Sequence, residues 1–367
     1  MREQDIFLWL CTTRGVGGVT IRRLYNAFGE GSAIWQAEAD DMVQVAGIRL
    51  KAAQELVSAR VSFDPYALRR EYGALGIRFL AYVDEEYPAI LRELYDPPGG
   101  LFVLGDLPPC AEQALAVVGS RKPTIYGRNV TQKLVGELAE QGLTIVSGLA
   151  RGIDTIAHEA ALQAGGQTLA VLGSGLQQIY PRENLRLAHR IADGHGAVVS
   201  EFHPMTPGKP SHFPIRNRII SGLSQATLVI EAGAKSGSLI TSDQALEQGR
   251  DVYAIPGPIY SPQSEGTNRL IQQGAKLVQT APDILEDYGF VAHACSEVAG
   301  SAVSPVNLPP EAQVLFEALG YQEATVDQLL LRTGWESGEL HTWLLKLQVQ
   351  GHLTALPGGR YIRTPSN

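Results

Sequence analysis

The 367-residue chain is 44% hydrophobic and 19% charged, the balance of an ordinary globular protein with room for two or three domains. Its formal charge of -8 excludes a protein that coats duplex DNA through a general positive field, though not one with a local basic groove. No apolar run approaches the roughly 20 residues that span a bilayer. The three scattered cysteines, Cys11, Cys110 and Cys295, fit neither a disulfide framework nor a zinc site, so a cytoplasmic protein with no membrane contact is expected.

Residues 1–63 read as a small helical domain. Apolar residues recur at helical spacing around Ile6–Leu10, Ile21–Phe28 and Leu50–Leu56, broken by Gly15-Val-Gly-Gly18 and by Gly47, which gives two helix–glycine-turn–helix units of helix-hairpin-helix or SAM-like layout. Such turns can present backbone amides to a DNA phosphate. Seven basic and seven acidic side chains cancel over this stretch, so a packing or oligomerisation module competes with a direct DNA contact. Residues 64–114 add a helix over Asp64–Gly76, strands at Ile77–Tyr82 and Leu101–Leu104, and enough Pro and Gly to fix an extended path.

From residue 115 onward short β-branched runs alternate with helical patterns, which predicts a mostly parallel sheet covered on both faces. The expected strands are Leu115–Val118, Thr144–Ser147, Thr168–Leu172, Ala197–Ser200, Thr227–Ile230 and Val252–Ile255. The loops at their carboxyl ends carry the functional signal. Small residues and cations collect there: Gly119, Ser120 and Arg121; Ser147, Gly148, Arg151 and Gly152; Gly173; then Lys235, Gly237 and Ser238. Open α/β sheets place ligands at the carboxyl ends of their strands, where glycine permits close approach, helix N-termini offer amides and cations add charge, a combination suited to phosphate.

Between Met205 and Gly222 the chain has Lys209, Arg216 and Arg218 and no acid, a bias against its own average. With Phe213 and Asn217 among them, the stretch suits a ligand that has both phosphates and flat π-faces, a nucleotide or a single-stranded nucleic acid. No GxxxxGK[ST] loop and no GxGxxG turn is present, so a P-loop NTPase and an NAD enzyme are both poorly supported. The histidines lack metal-ligand spacing. Asp154 sits where a helix N-cap belongs, and Glu201 and Glu231, each ending a strand, are expected in salt bridges to neighbouring arginines. No nucleophile with a matched base is found, and no cofactor is expected.

Taken together and in order, Gly119-Ser-Arg121, Ser147-Gly-Leu-Ala-Arg-Gly-Ile-Asp154, His212-Phe-Pro-Ile-Arg-Asn-Arg-Ile-Ile-Ser-Gly-Leu223, Ser236-Gly-Ser-Leu-Ile-Thr241, Gly249–Gly257 and Glu265-Gly-Thr-Asn268 resemble the DprA (Smf) family of DNA-processing proteins. The resemblance spans roughly residues 85–290. It implies an extended Rossmann-like, doubly wound domain (64–290 here), binding of single-stranded DNA, help in loading the RecA recombinase during natural transformation, a homodimer, and no catalytic turnover. Position by position, it assigns Gly119, Ser120 and Arg121 to a phosphate-contacting turn and Arg151 and Gly152 to a second loop. Lys209, Phe213, Arg216, Asn217 and Arg218 fall on the rim of the DNA pocket.

Residues 291–308 read as an Ala/Ser/Pro-rich linker. Residues 309–367 then give three helices and a hairpin, Leu353–Leu356 with Arg360–Arg363, the pattern of a winged helix. Its expected recognition helix, Ser337–Gln350, has Lys346 as its one Lys or Arg, too little for major-groove reading. A protein-interaction or regulatory role is favoured. The rival reading of the whole chain is a Rossmann-like hydrolase of nucleoside monophosphates, with Glu201 or Glu231 as its acid–base group.

Overall fold

The computed structural model describes residues 1–108, 113–289, 309–319, 323–350, 352–356 and 359–363. The expected linker, Cys110 and Cys295 lie outside them. The chain divides into two units, Met1–Val291 and Ala292–Asn367.

The first unit opens with helices α1 (Glu3–Thr12), α2 (Gly18–Phe28), α3 (Gly31–Gln36), α4 (Ala39–Ala46), α5 (Leu50–Ser62) and α6 (Pro65–Ala74). Gly47 ends α4 in the left-handed conformation, as a helix stop requires, so the turn expected there forms between α4 and α5. The boundary expected at residue 63 is not a packing boundary. Leu8 of α1 is fully buried in one cluster with Phe102, Ala170 and Val198 of the sheet, and Phe7 stacks on Tyr82 with ring centroids 6.1 Å apart.

The remaining elements of this unit build the sheet: β1 (Ile77–Ala81), α7 (Ala89–Arg92), β2 (Gly100–Gly105), β3 (Ala114–Val118), α8 (Ile125–Glu140), β4 (Thr144–Ser147), α9 (Ile153–Gln163), β5 (Thr168–Val171), α10 (Leu185–Ala192), β6 (Gly196–Ser200), α11 (His212–Gly222), β7 (Ala226–Val229), α12 (Gly237–Glu247), β8 (Asp251–Ala254), α13 (Glu265–Gln272), β9 (Lys276–Leu277) and α14 (Pro282–Leu285). Among the described residues the order is β1-β2-β6-β5-β4-β3-β7-β8-β9. β1 and β2 are antiparallel additions, and the pairings from β6 across to β9 are parallel. Each of the six strands expected from Leu115 onward is present, within a residue or so at either end.

Both faces are buried, which is why the strands read as unbroken apolar runs rather than alternating ones. Along β3, Ala114, Ala116 and Val118 join the core under α11, α12 and α13. Leu115 and Val117 join the core under α8, α9 and α14. The chain builds outward from β3 through β4, β5 and β6, then returns by α11 to lay β7 on the other flank of β3. That reversal is a topological switch point, and α11 is the element that crosses it.

The second unit is described by itself: α15 (Pro310–Leu319), β10 (Ala324–Thr325), α16 (Val326–Thr333), α17 (Ser337–Val349), β11 (Leu353–Leu356) and β12 (Arg360–Arg363). Its strands pair in the order β10-β12-β11 against a core of Leu315, Leu329, Leu340, Leu344 and Leu347, a winged helix. Among the described residues of both units, no helix is long and apolar enough to cross a membrane.

Because Leu8 is a core residue of the sheet unit, Leu8→Ala should cost about 2–5 kcal/mol. In denaturant titration of the variant, the near-UV signal of Trp9 and Trp35 and the far-UV signal of the first unit should be lost together at a lower midpoint. Early, separate loss of the tryptophan signal would mark the helices as an independent module.

Candidate functional site

The floor of the site is a buried charge. Arg216 of α11 is 4% exposed, and its Nη1 donates to the carbonyl of Gly148, 2.6 Å away, just past β4, and to that of Val171, the last residue of β5. Its Nε donates to Asn217 Oδ1 at 3.2 Å. Burial pulls this guanidinium down to about 10, with the Asp154 carboxylate opposing. Asp154 is likewise raised by burial, against the pull of Arg216 and of two backbone amides. It is not the helix N-cap expected; that position is Gly152. The Asp154 carboxylate instead accepts from the amides of Gly148 and Ala150 and so fastens the loop after β4. Asn184 Nδ2 holds the same loop from outside, donating to the Leu149 carbonyl at 2.8 Å. These contacts keep Leu149, fully buried, at a φ of 54°, a conformation that costs a leucine of order 1–3 kcal/mol and persists only where its surroundings over-determine it.

On this floor the strand-end loops touch. Gly152 has a φ of 81°, and a Cβ there would collide with the Ser120 carbonyl and the Arg121 backbone, so the loop after β4 lies directly on the turn after β3. Ser120 is buried and accepts from the Lys122 amide at 3.1 Å. Arg121 is exposed and lies over the ring of Phe213, 5.5 Å from its centroid. Phe213 in turn covers Gly173, where a Cβ would stand 2.8 Å from its Cδ1, while His212 Nδ1 lies 3.3 Å from the Gly173 carbonyl. Beside Phe213 is Tyr180, ring centroids 5.8 Å apart, and against Tyr180 lies Gly208, next to the exposed Lys209. Arg121, Phe213, Tyr180 and Lys209 thus succeed one another along a strip, and Ser147, Gly148, Gly152 and Gly173 lie beneath or beside it.

Two of the residues expected on the rim of the pocket, Arg216 and Arg218, are buried instead. Arg218 is buried and ion-paired twice, to Glu201 at 2.6 Å and to Asp96 at 2.9 Å. Glu201 is accordingly in the salt bridge expected of it, with its carboxyl raised by burial against the pull of Arg218. Arg151 is exposed but held by both oxygens of Glu183, at 2.7 and 2.8 Å. Among the described residues no arginine pairs with Glu231. Its carboxylate accepts from the amide and hydroxyl of Thr124 at 2.9 and 2.5 Å, closing the switch point between the loops after β3 and β7. Lys235 and Gly237 are exposed at the start of α12, where Ser236 caps the helix and contacts the hydroxyl of the buried Ser238 at 2.7 Å. They lie one loop beyond the strip. Among the described residues no group of His, Cys, Asp and Glu is placed to hold a metal ion.

Asp96, Glu183, Asn184 and Tyr180 were missed from the sequence. Local signals point to two of them: Glu183 is the acid nearest after the third strand-end loop, and Tyr180 falls between that loop and the next expected helix, where no strand or helix needs an aromatic.

A doubly wound, mostly parallel sheet whose strand-end loops meet at one cation- and ring-edged strip places the chain in the Rossmann-like class. Its closer affiliation comes from comparison. The family profile described as DNA recombination-mediator protein A matches residues 78–289, and that described as the DprA winged helix domain matches residues 299–359; the chain belongs to the DprA family. It is 47% identical to Protein Smf of Escherichia coli over 99% of this chain and 96% of that one. It is 46% identical to the DNA processing protein DprA of Bacillus subtilis over 59% of this chain and 73% of that one. Among solved structures it is similar to DprA of Streptococcus pneumoniae, with a TM-score of 0.68 and 37% identity over 78% of this chain and 99% of that one. It is also similar to DNA processing protein A of Helicobacter pylori, described for its single-stranded DNA binding mode, with a TM-score of 0.53 and 31% identity over 58% of this chain and 97% of that one.

The buried cluster sets a pH dependence. Thr168 Oγ1 donates to the Ile145 carbonyl, so His158 Nδ1 must be the donor in its 2.7 Å contact with Thr168, which fixes the Nδ1–H tautomer of the neutral ring. Burial, with Arg216 adding to it, lowers His158 to about 3. Below its ordinary value of about 6.5 the unfolded chain binds a proton that the folded chain refuses, so stability falls as pH drops, by about 1.4 kcal/mol per unit until the folded imidazole itself titrates. Denaturant titrations at pH 6.5 and 5.0 should show His158→Gln losing about 2 kcal/mol less than the parent over that interval.

Proposed function

We propose that the chain binds single-stranded DNA along the Arg121–Phe213 strip and does not turn it over. The observation that carries this reading is the pairing itself. A solvent-facing guanidinium lies across a half-buried aromatic ring at the meeting point of three glycine-bearing strand-end loops, which supplies charge for a phosphate and a face for a base in one place. Gly119, Ser120, Gly148, Gly152 and Gly173 let a backbone come close, Lys209 extends the charge, and Lys235, Gly237 and Ser238 offer a further helix start. Arg216, Asn217 and Arg218 act from below, by fixing α11 and hence Phe213. Family membership, and the Helicobacter pylori relative described by its single-stranded DNA binding mode, support the same ligand. The finer role we propose, in keeping with the recombination-mediator description of the family profile, is that a homodimer hands the strand to the RecA recombinase. The winged helix fits a protein-interaction part better than groove reading, since its α17 exposes Leu345 and Val349 and keeps Lys346 4.3 Å over the Trp343 ring. The hydrolase reading is disfavoured because Glu201 and Glu231, its acid–base candidates, are both engaged within the fold.

Binding is tested by titrating oligo-dT and a duplex of equal length at several salt concentrations. Arg121→Ala should weaken oligo-dT binding and lower the slope of log K against log salt by about 0.7 for the phosphate contact it loses. Unchanged affinity and slope would put the strand elsewhere, and consumption of a mononucleotide would restore the hydrolase. Arg151 must exchange Glu183 for phosphate to take part, so Glu183→Gln should tighten oligo-dT binding several-fold at low salt and less at high salt.

A further inference from the structure

We infer that Tyr180 is a second base-stacking residue, so that the site receives a two-base step rather than a single base. This rests on the binding reading above and deepens it. Tyr180 is 48% exposed and belongs to no helix or strand, sitting in the segment between β5 and α10. Isolated exposed rings are common on protein surfaces and mean little; the company of this one is what distinguishes it. Its ring centroid lies 5.8 Å from that of Phe213 with the planes inclined by 38°, so the two rings form an open step rather than a closed stack. Cations are close by. Arg121 lies over the Phe213 ring, 5.5 Å from its centroid, and the Tyr180 Cβ and Cγ pack against Gly208, immediately before the exposed Lys209. Arg151, on the loop after β4, also lies near Tyr180.

Two adjacent rings with cations beside them suit two neighbouring bases of a single strand and the phosphates that join and flank them. Duplex DNA, with its base faces stacked inside, could use the cations but not the rings. Tyr180 is therefore assigned the face for the base next to the one on Phe213. The ring acts, not the hydroxyl, since exposure leaves the hydroxyl free to be served by water.

The test uses the full chain, with Tyr180→Ala and Tyr180→Phe, and two probes of equal length and charge, oligo-dT and an abasic oligodeoxynucleotide. The parent should prefer oligo-dT. Tyr180→Ala should bind oligo-dT about 10-fold or more weakly, bind the abasic strand as the parent does, and keep the parent's thermal midpoint, while Tyr180→Phe should bind like the parent. If Tyr180→Ala binds oligo-dT as tightly as the parent, Tyr180 takes no base and this inference falls while the binding reading stands. Equal loss on both probes would reduce Tyr180 to a structural support and also overturn it. Failure of the parent to bind oligo-dT would overturn the binding reading and this inference together.

Discussion

The site depends on a guanidinium that is not available to any ligand. Arg216 lies under the ends of β4 and β5, with its donors on the Gly148 and Val171 carbonyls and Asp154 nearby. A buried charge of this kind is costly to desolvate and costlier still to leave alone. Its return is geometric. One side chain of α11 fixes where two strands stop and where the helix that crosses the switch point must start. The first turn of that helix carries His212 and Phe213, so the ring over Gly173 is placed by the same contact that closes the strand ends. The strained Leu149 loop is held from the other side by Asp154 and Asn184. A rigid floor assembled from interior polar contacts supports a rim of exposed ones.

The architecture was largely legible from the chain. The β-branched runs stand out because both faces of the sheet are covered, and Gly152 was flagged by lying inside a cation-bearing strand-end loop, which the close approach to Ser120 explains. Which cation does what was not legible. Arg121, Arg151, Arg216 and Arg218 look alike in a sequence and have four different fates: over a ring, against Glu183, into backbone carbonyls, and between Glu201 and Asp96. Most of these partners lie far off in sequence, and nothing local announces them. One fate could have been anticipated. On a helix, residues two apart point about 200° away from each other, so Arg216 and Arg218 could not both face one groove. Phe213 and Arg216, three apart, share a face, and they are the pair that meets the strand ends.

Arg218 points instead toward the opening helices and the connector. Its contact with Asp96 draws the Pro-rich path against α11, and its Nη2 would stand 3.6 Å from a Cβ on Gly18, the first residue of α2. With Leu8 buried in the sheet core, this explains why residues 1–63, balanced in charge and separable on paper, form one unit with the sheet. The helices are held by Leu8 as an apolar plug in the sheet core and by the packing of Gly18 beside Arg218.

The acidity of the whole chain bears on how a polyanion could be held at all. With a net charge of -8, the field at long range repels a nucleic acid, and screening confines any attraction from Arg121 and Lys209 to within about 8–10 Å at physiological salt. Two of the site's arginines, Arg216 and Arg218, are buried and engaged inside the fold, and Arg151 is paired at its edge. Charge alone is then a weak basis for affinity, and contacts that salt does not screen must take a larger share. Rings supply them, and only a strand whose bases are free can meet a ring. On the proposed reading, preference for single strands thus arises from a shortage of free cations as much as from the presence of Phe213 and Tyr180. A more basic surface would bind more tightly but would admit duplex as well.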